Sequence, residues 1–226
     1  MQSTQNDNWR KEKSQNNMTA TNGTTAKDTA SNKTHLLSPT ALCHFVLKTT
    51  PENHQAMIDF YLTFLGARIT HRNDRIAFMT YDHMDHRLAI SQIPGLQRTS
   101  PPGNNPGLAH TAFGFDTLSQ LAQSYEEKKA AGILPVWCVN HGMSTSMYYR
   151  DPDGSEVETQ VDNFDSPEEG MAFIESETFA ENPIGVDFDP EEFIRRVRSG
   201  EDEGAIKKRS DIGRRMTRGE KGSKET

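Results

Sequence analysis

Two stretches of this chain obey the same spacing, and that repetition limits the fold more than any other feature. Gly66 follows His44 by 22 residues, and Gly132 follows His110 by 22 residues. A strand-like run opens each unit, at 42–49 around His44 and at 108–115 around His110. A helical stripe comes next. Met57, Phe60, Tyr61, Phe64 and Leu65 recur at three-to-four spacing in the first unit, as do Leu118, Leu121, Ala122 and Tyr125 in the second. Thr50, ahead of Pro51, is expected to cap the first helix, and Asp116 the second. Glycine closes each helix because it adopts the left-handed conformation without a Cβ clash. Three more strand-like runs follow each helix, at 68–71, 76–81 and 87–92, then at 135–139, 143–150 and 155–161. The expected fold class is α+β: two βαβββ modules, at 40–93 and 107–163, joined by a Pro, Gly and Asn-rich connector. Neither sheet can cover its own apolar face, so the modules must pack together.

The flanks differ in character. Residues 1–36 are polar, with almost no large apolar side chains, and are expected to be a disordered tail; 37–165 is the expected folded domain. Beyond it, Ser166 and Asp189 each precede Pro-Glu-Glu, predicting short helices at about 166–178 and 189–199. This helical extension, 166–200, is expected to dock as a lid or subunit contact. Residues 201–226 carry Lys207, Lys208, Arg209, Arg214, Arg215 and Arg218, and are read as a solvated, disordered charged tail. A net charge of −7 gives no nucleic-acid signature, and no apolar run suggests a membrane span. Two cysteines make no disulfide framework, so a cytoplasmic setting is the expectation. Whether the chain forms a homo-oligomer is left open.

Candidate chemistry gathers around a predicted hairpin at 141–164. Asp151-Pro152-Asp153-Gly154 is a turn whose first carboxylate can fold back on local amides. Alternation along the strand after it puts Glu156, Glu158 and Gln160 on one face and Val157, Thr159 and Val161 on the other. Alone, Glu158 reads as a solvated strand residue. The repeat changes that reading, because it relates His44 and His110 by a pseudo-twofold and aims both at a centre that the last strand reaches with Glu158. Two imidazoles and one carboxylate with open positions are the facial triad of non-haem Fe(II) enzymes. His44, His110 and Glu158 are thus the candidate metal ligands, with Mn(II) as the alternative ion.

The paired units, the two histidines and the run DPDGSEVE ending at Glu158 resemble the vicinal oxygen chelate superfamily. Within it, the chain resembles the one-domain type I extradiol ring-cleaving dioxygenases, such as the biphenyl-2,3-diol 1,2-dioxygenases. The resemblance covers about residues 40–165. It implies an Fe(II) enzyme that opens a small aromatic diol beside one hydroxyl using O₂. It also implies three roles. His86, in Asp85-His86-Arg87-Leu88-Ala89, matches the acid–base histidine, and His141, with Gly142 and Ser144, a second active-site histidine. Tyr148 matches the tyrosine that bonds the substrate hydroxyl, although a register slip would put Tyr149 there instead. Val46 departs from the pattern, since larger relatives often carry Asn two residues after the first ligand. Trp137 and Phe164 are expected near the mouth. Two rivals share the fold. One is a glyoxalase- or epimerase-like metal enzyme, disfavoured because no Glu lies between Glu52 and Glu126. The other is a metal-free binding protein of the bleomycin-resistance type.

Overall fold

The structure is a computed structural model that describes residues 37–97 and 106–223. The expected tail at 1–36 and most of the connector therefore lie outside the described residues. Residues 37–42 form no helix or strand, and the unit from Cys43 onward carries the elements below.

Both modules have the predicted order. In the first, β1 (Phe45–Thr49), α1 (His54–Leu65), β2 (Arg68–Arg72), β3 (Ile76–Thr80) and β4 (Leu88–Gln92) give a sheet ordered β1-β4-β3-β2. The second comprises β5 (His110–Gly114), α2 (Leu118–Ala130), β6 (Trp137–Asn140), β7 (Ser144–Arg150) and β8 (Glu156–Asp162). Its sheet is ordered β5-β8-β7-β6, with β9 (Val186–Asp187) added at the β6 edge. In each module the first and last strands are parallel and the remaining pairs antiparallel. That shared topology is the structural form of the 22-residue spacing.

Local chemistry explains the helix ends, with corrections to the expected caps. Gly66 has φ of 58° and Gly132 of 79°, the left-handed values expected of helix-terminating glycines. Thr50 caps no α-helix, since Pro51–Asn53 forms a short 3₁₀ turn and α1 begins at His54. The α2 cap is Thr117, one residue past Asp116. Thr117 Oγ1 accepts from the Gln120 amide, and Gln120 Oε1 accepts from the Thr117 amide and also from the Asp116 amide, a capping box centred on Thr117. The helix expected at 166–178 is two, α3 (Pro167–Ile174) and α4 (Glu177–Glu181), because Ser176 recaps the chain. Asp189 caps α5 (Pro190–Arg198) by accepting from the Glu191 and Glu192 amides.

One core serves both modules. Met57, Ile58, Tyr61 and Phe64 of α1 join Met79, Leu88 and Ile90 of the first sheet. Leu118, Leu121 and Tyr125 of α2 and Met147, Tyr149 and Val157 of the second sheet belong to the same cluster. The Phe64 ring meets Tyr149 edge-on at 5.2 Å. Helix α5 lies on α2, burying Phe193 and Ile194 and pairing Arg198 with Glu126. Segment 201–226 departs from expectation as far as residue 223. It forms α6 (Glu203–Lys207), buries Ile206, and inserts Arg215 at 2% exposure. The physical reason is specific pairing: Arg215 makes a two-pronged bond to Asp187, at 2.8 and 3.0 Å, and also donates to the Gly185 carbonyl.

The Asp151 carboxylate ties the β7–β8 turn to the first module. Its Oδ1 accepts from the Asp153 and Ser155 amides at 3.0 and 2.9 Å, and its Oδ2 from the Tyr61 hydroxyl of α1 at 3.1 Å. Burial raises the Asp151 pKa, and these hydrogen bonds oppose the shift. Removing the carboxylate strands the buried Tyr61 hydroxyl and unties the Asp153 and Ser155 amides that shape the turn. Asp151→Ala is therefore expected to lower unfolding free energy by about 2–4 kcal/mol, against about 1 kcal/mol for Tyr61→Phe. Urea denaturation followed by tryptophan fluorescence measures both; a loss for Asp151→Ala no larger than that for Tyr61→Phe would show the turn is not held this way.

Candidate active site

The register of the second sheet lines up four side chains straight across it. Ala112 of β5 pairs with Glu158 of β8, Glu158 with Tyr148 of β7, and Tyr148 with Trp137 of β6. Tyr149 pairs instead with Val157 and is fully buried in the core. Alternation thus assigns Tyr148 to the face that carries Glu158. The small Ala112 side chain leaves space beside the carboxylate, and His110, two residues before it, reaches diagonally across. His110 Nε2 lies 3.0 Å from Glu158 Oε2. Glu158 is only 3% exposed, whereas the His110 side chain is well exposed, so the pair has a buried acid and a rim imidazole.

Tyr148 is the hub of an aromatic group on this face. Its ring meets His110 edge-on at 5.2 Å and Trp137 at 4.8 Å. His141 Nε2 is 3.0 Å from the Tyr148 hydroxyl, while His141 Nδ1 is 2.6 Å from the Ile184 carbonyl oxygen. A carbonyl accepts only, so Nδ1 carries the hydrogen. Burial lowers the His141 pKa, which leaves the ring neutral at pH 7 with Nε2 bare. The Tyr148 hydroxyl thus has two acceptors in reach, His141 Nε2 and the Glu158 carboxylate. Burial, and then the charge of Glu158, raise the Tyr148 pKa and keep that proton in place. Gly142, at φ 95°, presses against the Phe173 ring, where a Cβ would come within 2.3 Å of a ring carbon; this contact seats the His141 loop on α3.

The structure does not bring all six predicted residues together. His44 is exposed just before β1, and its ring meets that of His86 at a 39° tilt, 4.5 Å between centroids. His86 Nδ1 is 2.8 Å from Asp85 Oδ2, and its ring meets Phe78 edge-on. Among the described residues, no three His, Cys, Asp or Glu side chains form a group that could hold a metal ion. The expected three-ligand cluster is thus two half-sites: His110 with Glu158 on one sheet, His44 with His86 on the other. The electrostatic reason is that a buried carboxylate recruits the nearest group able to carry positive charge, and that group is His110. The donor chemistry of this pair still fits a first-row divalent ion, which takes imidazole nitrogen and carboxylate oxygen.

With this geometry the family question has a direct answer, because residues 44–159 match the Glyoxalase/Bleomycin resistance protein/Dioxygenase superfamily. The chain belongs to that superfamily. Two relatives come from Rhodococcus globerulus. The chain is 42% identical to biphenyl-2,3-diol 1,2-dioxygenase 2, over 65% of this chain and 76% of that protein. It is 38% identical to biphenyl-2,3-diol 1,2-dioxygenase 3, over 75% of this chain and 88% of that protein. In this superfamily member the matched segment begins at His44 and holds both modules, while the C-terminal strap lies beyond it.

That strap is what sequence reasoning missed. Arg218 lies 4.2 Å above the Trp137 ring and 5.8 Å from that of Tyr148, with its guanidinium 2.9 and 3.0 Å from the Glu156 oxygens. Arg209 donates to the His141 carbonyl at 3.1 Å, and Trp137 Nε1 to Asp187 at 2.8 Å. A run of basic residues in the sequence carries no signal of which acid or ring each will meet. Phe164, expected at the mouth, packs at a tilt on Phe173 of α3, 5.6 Å between ring centroids. No helix among the described residues is long and apolar enough to cross a membrane.

The tautomer assignment is measurable. Nitrogen-15 NMR of the histidine side chains at pH 7 should show His141 as neutral with hydrogen on Nδ1, and Tyr148→Phe should shift its Nε2 resonance. An imidazolium pattern, or hydrogen on Nε2, would contradict the proton arrangement.

Proposed function

We propose that the chain is an Fe(II)-dependent extradiol dioxygenase that opens a catechol-type aromatic diol beside one hydroxyl using O₂. The observation that carries the reading is the buried Glu158 carboxylate touching His110, on the face where the Tyr148 hydroxyl lies 3.0 Å from His141. The two relatives named as biphenyl-2,3-diol 1,2-dioxygenases support the reaction class. In this proposal His44, His110 and Glu158 hold the ion, with Mn(II) as the alternative. The ion would acidify a bound diol and bring it together with O₂.

The protein's own groups have distinct tasks. The Tyr148 hydroxyl, whose hydrogen bond His141 fixes, orients a substrate oxygen. His86 takes a proton from the diol and later returns it, and the Asp85 carboxylate on its Nδ1 sets which nitrogen does so. The Trp137 ring, backed by Arg218, offers a flat apolar surface for an aromatic substrate. Holding both reactants in fixed relation replaces a bimolecular encounter and lowers the barrier.

A second reading draws on the separation of His44 from the His110–Glu158 pair. A metal-free binding protein would need no third donor, and that arrangement favours it. Reconstitution discriminates between the two. Protein loaded anaerobically with Fe(II) and then given biphenyl-2,3-diol and O₂ should take up O₂ and form a yellow ring-opened product. Binding of the diol without O₂ uptake would support the binding protein. Glu158→Ala should lose iron and all turnover. His86→Ala should keep iron and slow turnover by about 10²–10⁴-fold; equal iron loss in both variants would contradict the division of roles.

A further inference from the structure

A buried lysine lines an aromatic-walled cleft outside the candidate active site. Lys128 occupies the next position of the α2 stripe after Tyr125, where an apolar residue would be expected, and it is only 4% exposed. Its ammonium donates to Ser124 Oγ and lies 4.6 Å from the centre of the Phe64 ring, with Phe115 and Tyr149 next nearest. Among the described residues it has no carboxylate within ion-pair distance. A desolvated cation with rings on three sides and no anion is costly, so its retention needs a reason. Lys128, Phe64, Phe113, Phe115 and Tyr81 line a cavity of about 460 Å³. That volume suits a ligand of one or two rings, since such sites hold roughly 300–1,000 Å³. Gln120, Gln123 and Ser124 add hydrogen-bonding groups to the lining. The lining holds none of His110, Glu158, Tyr148 and His141, and it meets the row of the candidate site only at Ala112.

We propose that this cavity is a second ligand site, which takes a planar aromatic monocarboxylate with its carboxylate on Lys128 and its ring among Phe64, Phe113 and Tyr81. A carboxylate would supply the missing anion, and the rings would cover the apolar remainder. Monocarboxylate is the class because the lining holds one cation. Glu127, also in the lining, is engaged by the Gln123 amide and would oppose a second negative charge. The proposal does not depend on the dioxygenase reading.

Three titratable groups lie near Lys128: Glu127 on its own helix, Tyr149 from β7 and Tyr81 at the cavity wall. Burial raises both tyrosines. Burial also pushes the Lys128 pKa down to about 8, so its charge fades between pH 7 and 9. The test is calorimetric titration of the full chain with benzoate, and with benzyl alcohol as the uncharged match. Wild type and Glu158→Gln should bind benzoate equally, and benzyl alcohol at least tenfold more weakly. Lys128→Met should lose at least tenfold in benzoate affinity. In the wild type, affinity should fall about tenfold from pH 7 to pH 9, a readout that survives even if the methionine variant misfolds. Undetectable benzoate binding, binding retained by Lys128→Met, no pH dependence, or binding lost in Glu158→Gln would each overturn the proposal; the last would assign benzoate to the diol site instead.

Discussion

The site depends on a burial constraint: the Glu158 carboxylate sits mid-strand at 3% exposure, and a buried anion is tolerated only beside something that answers its charge. Everything around it follows from that demand. The parallel pairing of β5 with β8 brings His110 within 3.0 Å. The antiparallel pairing of β8 with β7 sets Tyr148 directly opposite. The turn that joins β7 to β8 fixes this register, and the Asp151 carboxylate holds that turn from within while bonding to Tyr61 of the other module. Module packing and site geometry are thus mechanically linked through one side chain.

Much of this was legible in the sequence, for identifiable reasons. The two strand histidines and the two helix-ending glycines repeat with one spacing, so both modules, the βαβββ order of their elements and their packing together could be expected before any coordinates. Strand alternation placed Tyr148 with Glu158, and pairing of Tyr148 with Glu158 and of Tyr149 with Val157 fixes the register that alternation alone left open. Helix caps were legible only to within a residue or so. Thr117 caps α2 instead of Asp116 because its partner Gln120 stands three residues on, and Thr50 precedes a 3₁₀ turn.

Long-range electrostatics was the illegible part. Arg209, Arg215 and Arg218 looked like a solvated tail, yet each has a defined partner in the His141 carbonyl, Asp187 and Glu156. Nothing local in the chain encodes those meetings, since Arg218 and Glu156 are far apart in sequence. Lys128 was hidden for the opposite reason: its charge marks it as a surface residue, although its helical position belongs to the buried stripe. The half-sites were also not foreseen. Repeat symmetry predicted that both histidines would meet Glu158, whereas the His44 ring packs at a tilt on His86.

In the proposed enzyme, His44 and His110, from the two modules, would bind one ion together with Glu158. X-ray absorption at the iron edge of the Fe(II)-loaded protein tests it most directly, because outer-shell scattering counts imidazole ligands. Two imidazoles with oxygen donors completing the sphere is the predicted result. A single imidazole, or none, would contradict the claim and leave the His110–Glu158 pair as an ion pair in its own right.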